Sequence, residues 1–387
     1  MKIYSCTLLD TKIYNSDKRW TGRVIACIDL NAFYPSCEEL RDPSLRGRAH
    51  AVIMTDEKIG HMIKGVVSSC SYEARSYGIL SAMPLSKAKS LCPDLILRPV
   101  DIPYYRRVSE EIMNVIHEYG DTLEQASIDE AFLDYTTKIQ TENAESYAAK
   151  IKRTIKQKCG LSCSIGVAST KSAAKIASDF EKPDGLTVVY PSELKEFLKP
   201  LEVGRVAGVG PKTQQALKEM GIETLGQLAK ADVSKLKERF GKNGQWMWKV
   251  ANGADDEPVS PKTDNVYLSA ESTFDAFTRD KDKIYSLLQG LVDGLCLRIR
   301  EHGYLFRSVG IKLVRTDFSI ETRGITFHEF RNDSEIIFSV LGQLLDKFVL
   351  SENRPLVRKA GLWVSNLIRE ENIQRKKTAQ RTLLDYC

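Results

Sequence analysis

The sequence predicts an α+β protein with several domains, and three observations support this prediction. Its 387 residues exceed what a single hydrophobic core usually organises, which suggests two to four domains. The first half alternates short apolar runs with amphipathic stretches, as expected for a sheet with helices packed on it. Near Pro200 the pattern changes to short helices separated by glycines, and alternating runs return after residue 265.

The first half gives the clearest strand and helix signals. VIACIDL (24–30) and HAVIM (50–54) read as strands, and NAFYPSCEELRD after the first has the apolar spacing of a helix. TLEQASIDE and AFLDYTT indicate the two arms of a strand pair, CSIGVA (163–168) predicts another strand, and KSAAKIASDF (171–180) predicts a helix. Before the strand pair, a helical pattern is carried by Tyr105, Val108, Ile112, Val115 and Ile116.

The second half divides at a polar segment. Residues 201–240 read as short helices, and NGADDEPVSPKTDN (252–265) has the Pro, Gly and Asp content of a linker. The runs VYLSAESTF, SVGIKLVRT and GLWVSNLI bracket helical segments and predict a further α+β unit. Residues after 369 are polar and charged, so we expect a flexible tail there.

Composition argues against several classes of protein. Hydrophobic residues make up 42% of the chain, and no run reaches the ~18 apolar residues of a membrane span. Residues 1–20 lack a signal peptide's apolar stretch, so we expect a cytoplasmic (nucleoid) or nuclear protein that is neither secreted nor in a membrane. The nine cysteines include no CxxC pair, which argues against a disulfide framework or a zinc site. A net charge of +5 permits a polyanionic partner without requiring one.

Three acids predict a metal site. Asp29 closes the first strand, and Asp129 and Glu130 are adjacent at the end of the first arm of the strand pair. Neighbouring strand residues face opposite ways, so Asp129 and Glu130 can converge on one site only if one of them lies at a strand end or in a turn, and the predicted hairpin between the two arms supplies that turn. Three carboxylates within ~4 Å would repel by about 4 kcal/mol per pair, and divalent cations remove that penalty.

Basic residues at helical spacing predict phosphate contacts. SYEAR (71–75) sets Tyr72 and Arg75 three apart, and KSAAK (171–175) sets Lys171 and Lys175 four apart. Arginine and lysine are the usual ligands of triphosphates, although a basic residue on a helix is more often only a solvated side chain. The combination with three acids favours the phosphate interpretation.

Five blocks in order carry a family resemblance. DLNAFYPSCEE, SYEARSYGI, SIDEAFLD, KSAAKIASDFEKPDG and GVGPKTQQALKEMGI resemble the Y-family, or translesion, DNA polymerases of the DNA polymerase IV and UmuC-like type, over residues 22–368. The resemblance implies an α+β right-hand polymerase that joins deoxynucleotides to a primer end. It implies the following division: an N-terminal extension (1–21), palm and fingers (22–200, with fingers at about 40–98), a helix-hairpin-helix thumb (201–251), a linker (252–265), a little finger (266–369) and a tail (370–387).

The resemblance also assigns the site residues and the cofactor. It implies two Mg²⁺ ions per active site, replaceable by Mn²⁺ and held by catalytic acids. It also implies primer-template DNA and a dNTP as partners, with basic side chains contacting the dNTP. The metal ligands are Asp29, Leu30 through its carbonyl, Asp129 and Glu130, and the nucleotide contacts are Phe33, Tyr34 as the sugar-selecting aromatic, Tyr72, Arg75 and Lys175. The DNA contacts are Gly208, Gly210, Lys212 and Arg323.

Three positions depart from the family pattern. Asn31 stands where many members have a second acid, and the UmuC-like branch also has asparagine there. We therefore do not assign Asn31 as a metal ligand. Pro35 replaces a small residue, and Ile325 follows Arg323 and Gly324 in the expected little finger. They bear on the helix start and on DNA contact, not on the chemistry.

The C-terminal residues suggest one more partner. Gln380, Leu383 and Tyr386 form Q-x-x-L-x-x-Y, which resembles the peptide that binds a sliding clamp. Two other functions compete with polymerase activity: a catalytically inactive DNA-binding scaffold, and another palm-domain nucleotidyl-phosphotransferase such as a cyclase. Primer extension on an undamaged template distinguishes all three, because only the polymerase elongates the primer.

Overall fold

The computed structural model describes residues 20–55, 65–139, 143–261 and 267–371. The chain forms two compact units, Met1–Lys262 and Thr263–Cys387. Among the described helices, none combines the length and the apolar character needed to cross a membrane.

The first unit is built on a five-stranded sheet. Its order is β5-β6-β1-β7-β8, and every pair is antiparallel except β7 with β8. The strands are β1 Ile25–Leu30, β5 Thr122–Gln125, β6 Glu130–Asp134, β7 Cys163–Ala168 and β8 Leu186–Val188. The predicted strands at 24–30 and 163–168 and the predicted strand pair are confirmed, whereas β8 is too short to have given a clear signal.

Helices cover both faces of this sheet. They are α1 Phe33–Arg41, α4 Ile102–His117, α5 Ala144–Cys159 and α6 Lys171–Ser178. Alternate residues of β1 enter different cores: Ala26 and Ile28 pack with α4 and α5, while Ile25 and Cys27 pack with α6. Because both faces are covered, all six residues of β1 are buried, and all of them except Asp29 are apolar.

A glycine allows α6 to lie against the sheet. Gly166 on β7 has no Cβ, and a Cβ built there would lie 2.2 Å from the carbonyl oxygen of Ala174 and 2.1 Å from the backbone nitrogen of Ser178. Any larger residue would therefore push the helix away from β1 and β7. This close approach determines where the side chains of α6 reach.

A small subdomain is inserted between α1 and α4. Its three strands pair in the order β3-β2-β4, and its own core includes Ala51, Val67 and Ile79. The elements are β2 His50–Thr55, β3 Gly65–Cys70, α2 Tyr72–Ser76, α3 Leu85–Leu91 and β4 Ile96–Pro99. Only β2 was predicted among these strands, because Ser68 and Ser69 weaken the apolar pattern of β3 and β4 is only four residues long.

Short helices follow, as predicted from the glycines. They are α7 Leu194–Leu198, α8 Pro211–Glu219, α9 Leu225–Lys230, α10 Val233–Phe240 and α11 Lys242–Ala251. Thr224 begins α9 with a capping box in which Gln227 returns a hydrogen bond. The buried leucines of these helices belong to the same core as the inner face of α6.

The predicted linker is bound to the first unit as far as residue 261. Asp255 is only 4% exposed and accepts hydrogen bonds from the Ser172 backbone nitrogen (3.3 Å) and hydroxyl (2.7 Å) at the start of α6. The Arg23 guanidinium donates to the carbonyl oxygens of residues 255–257, and Val259 is buried. Composition correctly predicted a segment without helix or strand, but not its attachment.

The second unit is another sheet with helices on it. Its order is β11-β10-β12-β9, with β13 paired to β10, and the helices share one core with the sheet. The elements are β9 Tyr267–Thr278, α12 Lys281–Glu301, β10 Tyr304–Arg315, β11 Ile320–Arg331, α13 Ser334–Leu345, β12 Val357–Ser365 and β13 Ile368–Arg369. The predicted α+β character of this region is confirmed.

We call residues 252–261, the described part of the predicted linker, the strap. The contribution of its attachment to stability can be measured as a free energy of unfolding. Asp255→Ala should lower the free energy of unfolding of the first unit by about 1–3 kcal/mol, because buried donors lose their acceptor. Asp255→Asn keeps one acceptor oxygen and should cost less. The control is Asp256→Ala, whose side chain is 83% exposed and should change little. Equal effects of the two alanine variants in a urea titration would contradict the attachment.

Candidate active site

Two of the predicted acids face each other across neighbouring strands. Asp29 lies near the end of β1, and its register partner is Glu130, the first residue of β6. Asp29 continues the alternation of Ile25 and Cys27, and Glu130 that of Phe132, so both acids lie on the face covered by α6. The side chain of Asp29 is 12% exposed and that of Glu130 is 19% exposed.

The third acid lies in the turn before β6. Leu30 donates its backbone N–H to the carbonyl oxygen of Asp129 at 2.9 Å, which fixes the turn beside the end of β1. Ser127 donates its hydroxyl to the Asp129 carboxylate at 2.5 Å. The first arm ends at Gln125, earlier than predicted, so Asp129 lies in the turn and Glu130 begins the second strand. One of the two adjacent acids thus lies in a turn and the other at a strand end, and the Asp129 carboxylate is directed to Ser127.

Two lysines neutralise the facing carboxylates. Lys175 Nζ on α6 lies 2.7 Å from Asp29 Oδ2 and 2.5 Å from Glu130 Oε2. Lys182 Nζ lies 2.7 Å from Asp29 Oδ2 and 2.7 Å from Asp179 Oδ1. Burial acts to lower the pKa of each lysine, but other groups outweigh it and raise the pKa of both: Cys27, Asp29 and Glu130 act on Lys175, and Asp29 and Asp179 act on Lys182. Both ammonium groups therefore stay charged at neutral pH.

Lys182 was missed in the sequence. It stands seven residues after Lys175 in KSAAKIASDFEKPDG, a spacing of two helical turns that would have placed both lysines on one side had the helix continued. Instead α6 ends at Ser178, and the following loop brings Lys182 back to Asp29. The basic residue was visible, but its direction depends on this loop.

The donor set suits a hard divalent cation. Asp29 and Glu130 present oxygen atoms to the same ammonium group, and carboxylate oxygens are the ligands that Mg²⁺ prefers. With Asp129 and Asp179 nearby, carboxylates outnumber the two lysines. No three His, Cys, Asp or Glu side chains within the described ranges stand in a ready-made metal-binding arrangement. Asp29 and Glu130 thus converge, and the third predicted acid, Asp129, is the residue before Glu130.

Asn31 has a structural role. It is 3% exposed, its amide nitrogen donates to Ser164 Oγ at 2.9 Å, and its amide oxygen accepts from the Asp184 backbone nitrogen at 3.0 Å. The side chain therefore connects β7 to the loop that carries Lys182. Pro35 is the third residue of α1, where its missing N–H has no helical partner to lose.

The two aromatic residues at the start of α1 differ in exposure. Phe33 is 2% exposed and packs in the core, so the prediction that it binds nucleotide does not extend to its ring. Tyr34 is half-buried, and its ring stacks on Tyr105 with centroids 4.3 Å apart. Burial first, and then the negative charge of Asp129, raises the pKa of Tyr34, as expected for a hydroxyl near the acids.

The predicted phosphate contacts fall in different places. Tyr72 begins α2, and the guanidinium carbon of Arg75 lies 4.6 Å from the centre of its ring, so the two form a pair in the inserted subdomain. Lys171 does not fit the phosphate interpretation, because it is 7% exposed and pairs with Glu124 at 2.8 Å and Glu257 at 2.9 Å. It instead fixes the strap to the start of α6.

The predicted DNA contacts lie in two regions. Gly208, with φ of +92°, makes the turn before α8, Gly210 precedes the helix, and Lys212 is exposed in its first turn. Arg323 lies on β11, an edge strand of the second unit, with its guanidinium carbon 5.2 Å from the centre of the Phe348 ring. Gln380, Leu383 and Tyr386 lie outside the described residues.

Family models cover most of the chain. The impB/mucB/samB family matches residues 28–179, and the C-terminal domain of the same family matches residues 267–377. The model described as DNA polymerase-iota, thumb domain, matches residues 205–255. The first match contains all three acids and Lys175, and it ends three residues before Lys182.

Proteins of similar sequence carry one name. A DNA polymerase IV of Methanoculleus marisnigri is 41% identical over 346 residues, which are 89% of this chain and 95% of the relative. A DNA polymerase IV of Halobacterium salinarum is 38% identical over 362 residues, which are 91% of this chain and 87% of the relative.

Solved structures agree with the sequence comparison. A Y-family DNA polymerase chimera, Dbh-Dpo4(243-245)-Dbh, matches with a TM-score of 0.82 at 28% identity and covers 90% of this chain and all of its own. An insertion ternary complex of Dbh DNA polymerase matches with a TM-score of 0.63 at the same identity and coverage. From these sequences and structures together, the chain belongs to the impB/mucB/samB family, the Y family of DNA polymerases.

Proposed function

We propose that Asp29, Asp129 and Glu130 form the catalytic centre at which this translesion DNA polymerase adds a dNTP to a primer 3′-OH opposite a template base. The observation that carries the proposal is the convergence of Asp29 and Glu130 on Lys175. Asp129 is the residue before Glu130 in the chain. Membership of the family makes the chain a DNA-directed DNA polymerase that depends on divalent metal. Extension of a primer on undamaged and damaged templates tests the activity and excludes an inactive scaffold or a cyclase.

The carboxylates would hold two Mg²⁺ ions, with Mn²⁺ able to replace them. Bound divalent cations activate the attacking hydroxyl and stabilise charge on the triphosphate and the leaving pyrophosphate. Asp29 and Glu130 supply oxygen atoms from adjacent strands, Asp129 supplies one from the turn, and the carbonyl of Leu30 completes the proposed set. The protein's own contribution is to hold these groups rigidly on strand ends.

The lysines serve as counter-ions in the protein alone. Lys175 and Lys182 both pair with Asp29, and in a site whose carboxylates held cations their ammonium groups would contact a triphosphate instead. Tyr72 and Arg75 would contact the same phosphates from the inserted subdomain, which we propose to be the fingers. Tyr34 would lie beneath the incoming sugar and reject a 2′-OH.

DNA would be held by the remaining regions. The Gly208–Gly210 turn and Lys212 offer backbone N–H groups and a cation to a phosphate, and Arg323 offers a guanidinium. We propose palm and fingers at 22–200, a thumb at 201–251 and a little finger at 266–369. An enzyme acting on DNA would work in the nucleoid or the nucleus.

The acid assignment predicts a loss of chemistry without a loss of binding. Asp129→Ala should lower the rate of nucleotide addition at least about a thousandfold, since a metal ligand acts on the transition state. Primer-template affinity should stay within about twofold because phosphate contacts dominate it. Asp179→Asn is the control, because it also removes one negative charge but not a proposed metal ligand; Asp179 pairs with Lys182. Single-turnover extension measures both variants, and normal addition by Asp129→Ala would contradict the assignment.

The lysine assignment predicts a defect in nucleotide use. Lys175→Met and Lys182→Met should each raise the KM for dNTP about tenfold or more, because a phosphate loses a charged partner. DNA affinity measured by fluorescence anisotropy should not change. Lys171→Met on the same helix is the control and should lower stability while leaving KM unchanged. A change of DNA affinity alone in the Lys175 variant would refute the role.

The C-terminal segment is proposed to bind a sliding clamp. A tether raises the local concentration of polymerase at a primer end without a new contact in the active site. Leu383→Ala should therefore abolish stimulation by the clamp in a primer-extension assay and leave extension without the clamp unchanged. Leu384→Ala lies outside the Q-x-x-L-x-x-Y pattern and should behave as the unaltered chain. Equal stimulation of both variants would exclude Leu383 as the attachment point.

A further inference from the structure

The Tyr34 ring rests on a second tyrosine, Tyr105, which the sequence pattern indicated only as part of a helix. The rings of Tyr34 and Tyr105 stack with centroids 4.3 Å apart and planes 18° from parallel. Tyr105 has no exposed surface and belongs to the main core of the first unit. One face of the half-buried Tyr34 ring thus rests on a side chain that cannot move into solvent.

The supporting ring is itself anchored through its hydroxyl. Tyr105 donates to Glu38 Oε1 at 2.8 Å, and Glu38 is 5% exposed. Arg41 lies 3.6 Å from Glu38 and 2.8 Å from Asp101, the residue that caps the start of α4. The Tyr105 ring is therefore fixed between α1 and α4 at both ends.

The backbone before Tyr34 restricts its position as well. Ala32 adopts a left-handed conformation, with φ of 42° and ψ of 52°, where β1 gives way to α1. Phe33 is buried, and the centroid of its ring lies 5.8 Å from that of Tyr34. The Tyr34 ring therefore contacts the rings of two buried residues, Phe33 and Tyr105.

Rejecting a single hydroxyl requires an obstacle that does not yield. If the ring could move aside at small cost, a sugar with a 2′-OH would be accepted, because selectivity cannot exceed the free energy needed to displace the ring. We propose that Tyr105, held by Glu38, is a positioning residue for sugar selection: it fixes the Tyr34 ring against displacement by a ribonucleotide. This inference rests on the proposed role of Tyr34.

The test compares insertion of a ribonucleotide and a deoxynucleotide of the same base, each as kcat/KM on one primer-template. Tyr105→Leu removes the stacked ring and should raise relative ribonucleotide insertion about tenfold or more. Tyr105→Phe keeps the ring and loses only the hydroxyl, so it should retain most of the discrimination. This rescue distinguishes the stacked ring from the hydrogen bond.

A matched control separates positioning from general damage to the core. Tyr135 is also fully buried in the same core, stacks on Tyr147 with centroids 5.2 Å apart, and donates its hydroxyl to a backbone carbonyl. Tyr135→Leu should destabilise the protein comparably without changing the sugar ratio. An equal change of ratio in both leucine variants would overturn the proposal.

Folding of the variant and failure of the underlying function need separate readouts. Tyr105→Leu leaves the buried Glu38 carboxylate without its hydroxyl partner. The double variant Tyr105→Leu with Glu38→Gln removes that charge, and it replaces the single variant in the assay if the single variant does not fold. Tyr34→Ala is measured in parallel. An unchanged ratio in Tyr34→Ala would refute sugar selection by Tyr34 itself. A raised ratio in Tyr34→Ala with unchanged ratios in both Tyr105→Leu proteins would refute the positioning role alone.

Discussion

The ionic contact of Lys175 with Asp29 and Glu130 is the constraint on which the rest of the first unit depends. Two largely buried carboxylates on neighbouring strands would each cost several kcal/mol without a partner. The partner can reach them only if α6 lies directly on the sheet, and Gly166 permits that approach. A feature of packing thus determines whether a cation can lie between the two acids.

The same contact links stability to chemistry. In the proposed site, the lysine that pairs with the acids in the protein alone would also contact the phosphates of a metal-bound nucleotide. Helix α6 is secured at its other end by Asp255 and Lys171, which join it to the strap and to Glu124. The segment that composition marked as a linker therefore helps to hold the helix that carries Lys175.

The aromatic residues follow a related principle. A half-exposed ring near the acids is useful for selection only if buried groups restrain it, and Tyr105 and Glu38 supply that restraint from within the core. Residues classed as packing residues by their burial are in this way part of the site's geometry. The second unit has a sheet and a hydrophobic core of its own.

Local patterns in the chain were enough to predict the α+β class and the main strands of the first sheet and to select three acids as candidate ligands, because apolar periodicity and residue chemistry are local properties. They also indicated that Asp129 and Glu130 could converge only with one of them at a strand end or in a turn, since adjacent strand residues diverge. Which cations meet the acids depended on tertiary packing. Lys171 and Lys175 share a helix and a residue type, yet one pairs with Glu124 and Glu257 and the other with Asp29 and Glu130. Lys182 joins them from a loop whose path no helical pattern encodes, because contacts between distant segments depend on how the segments pack.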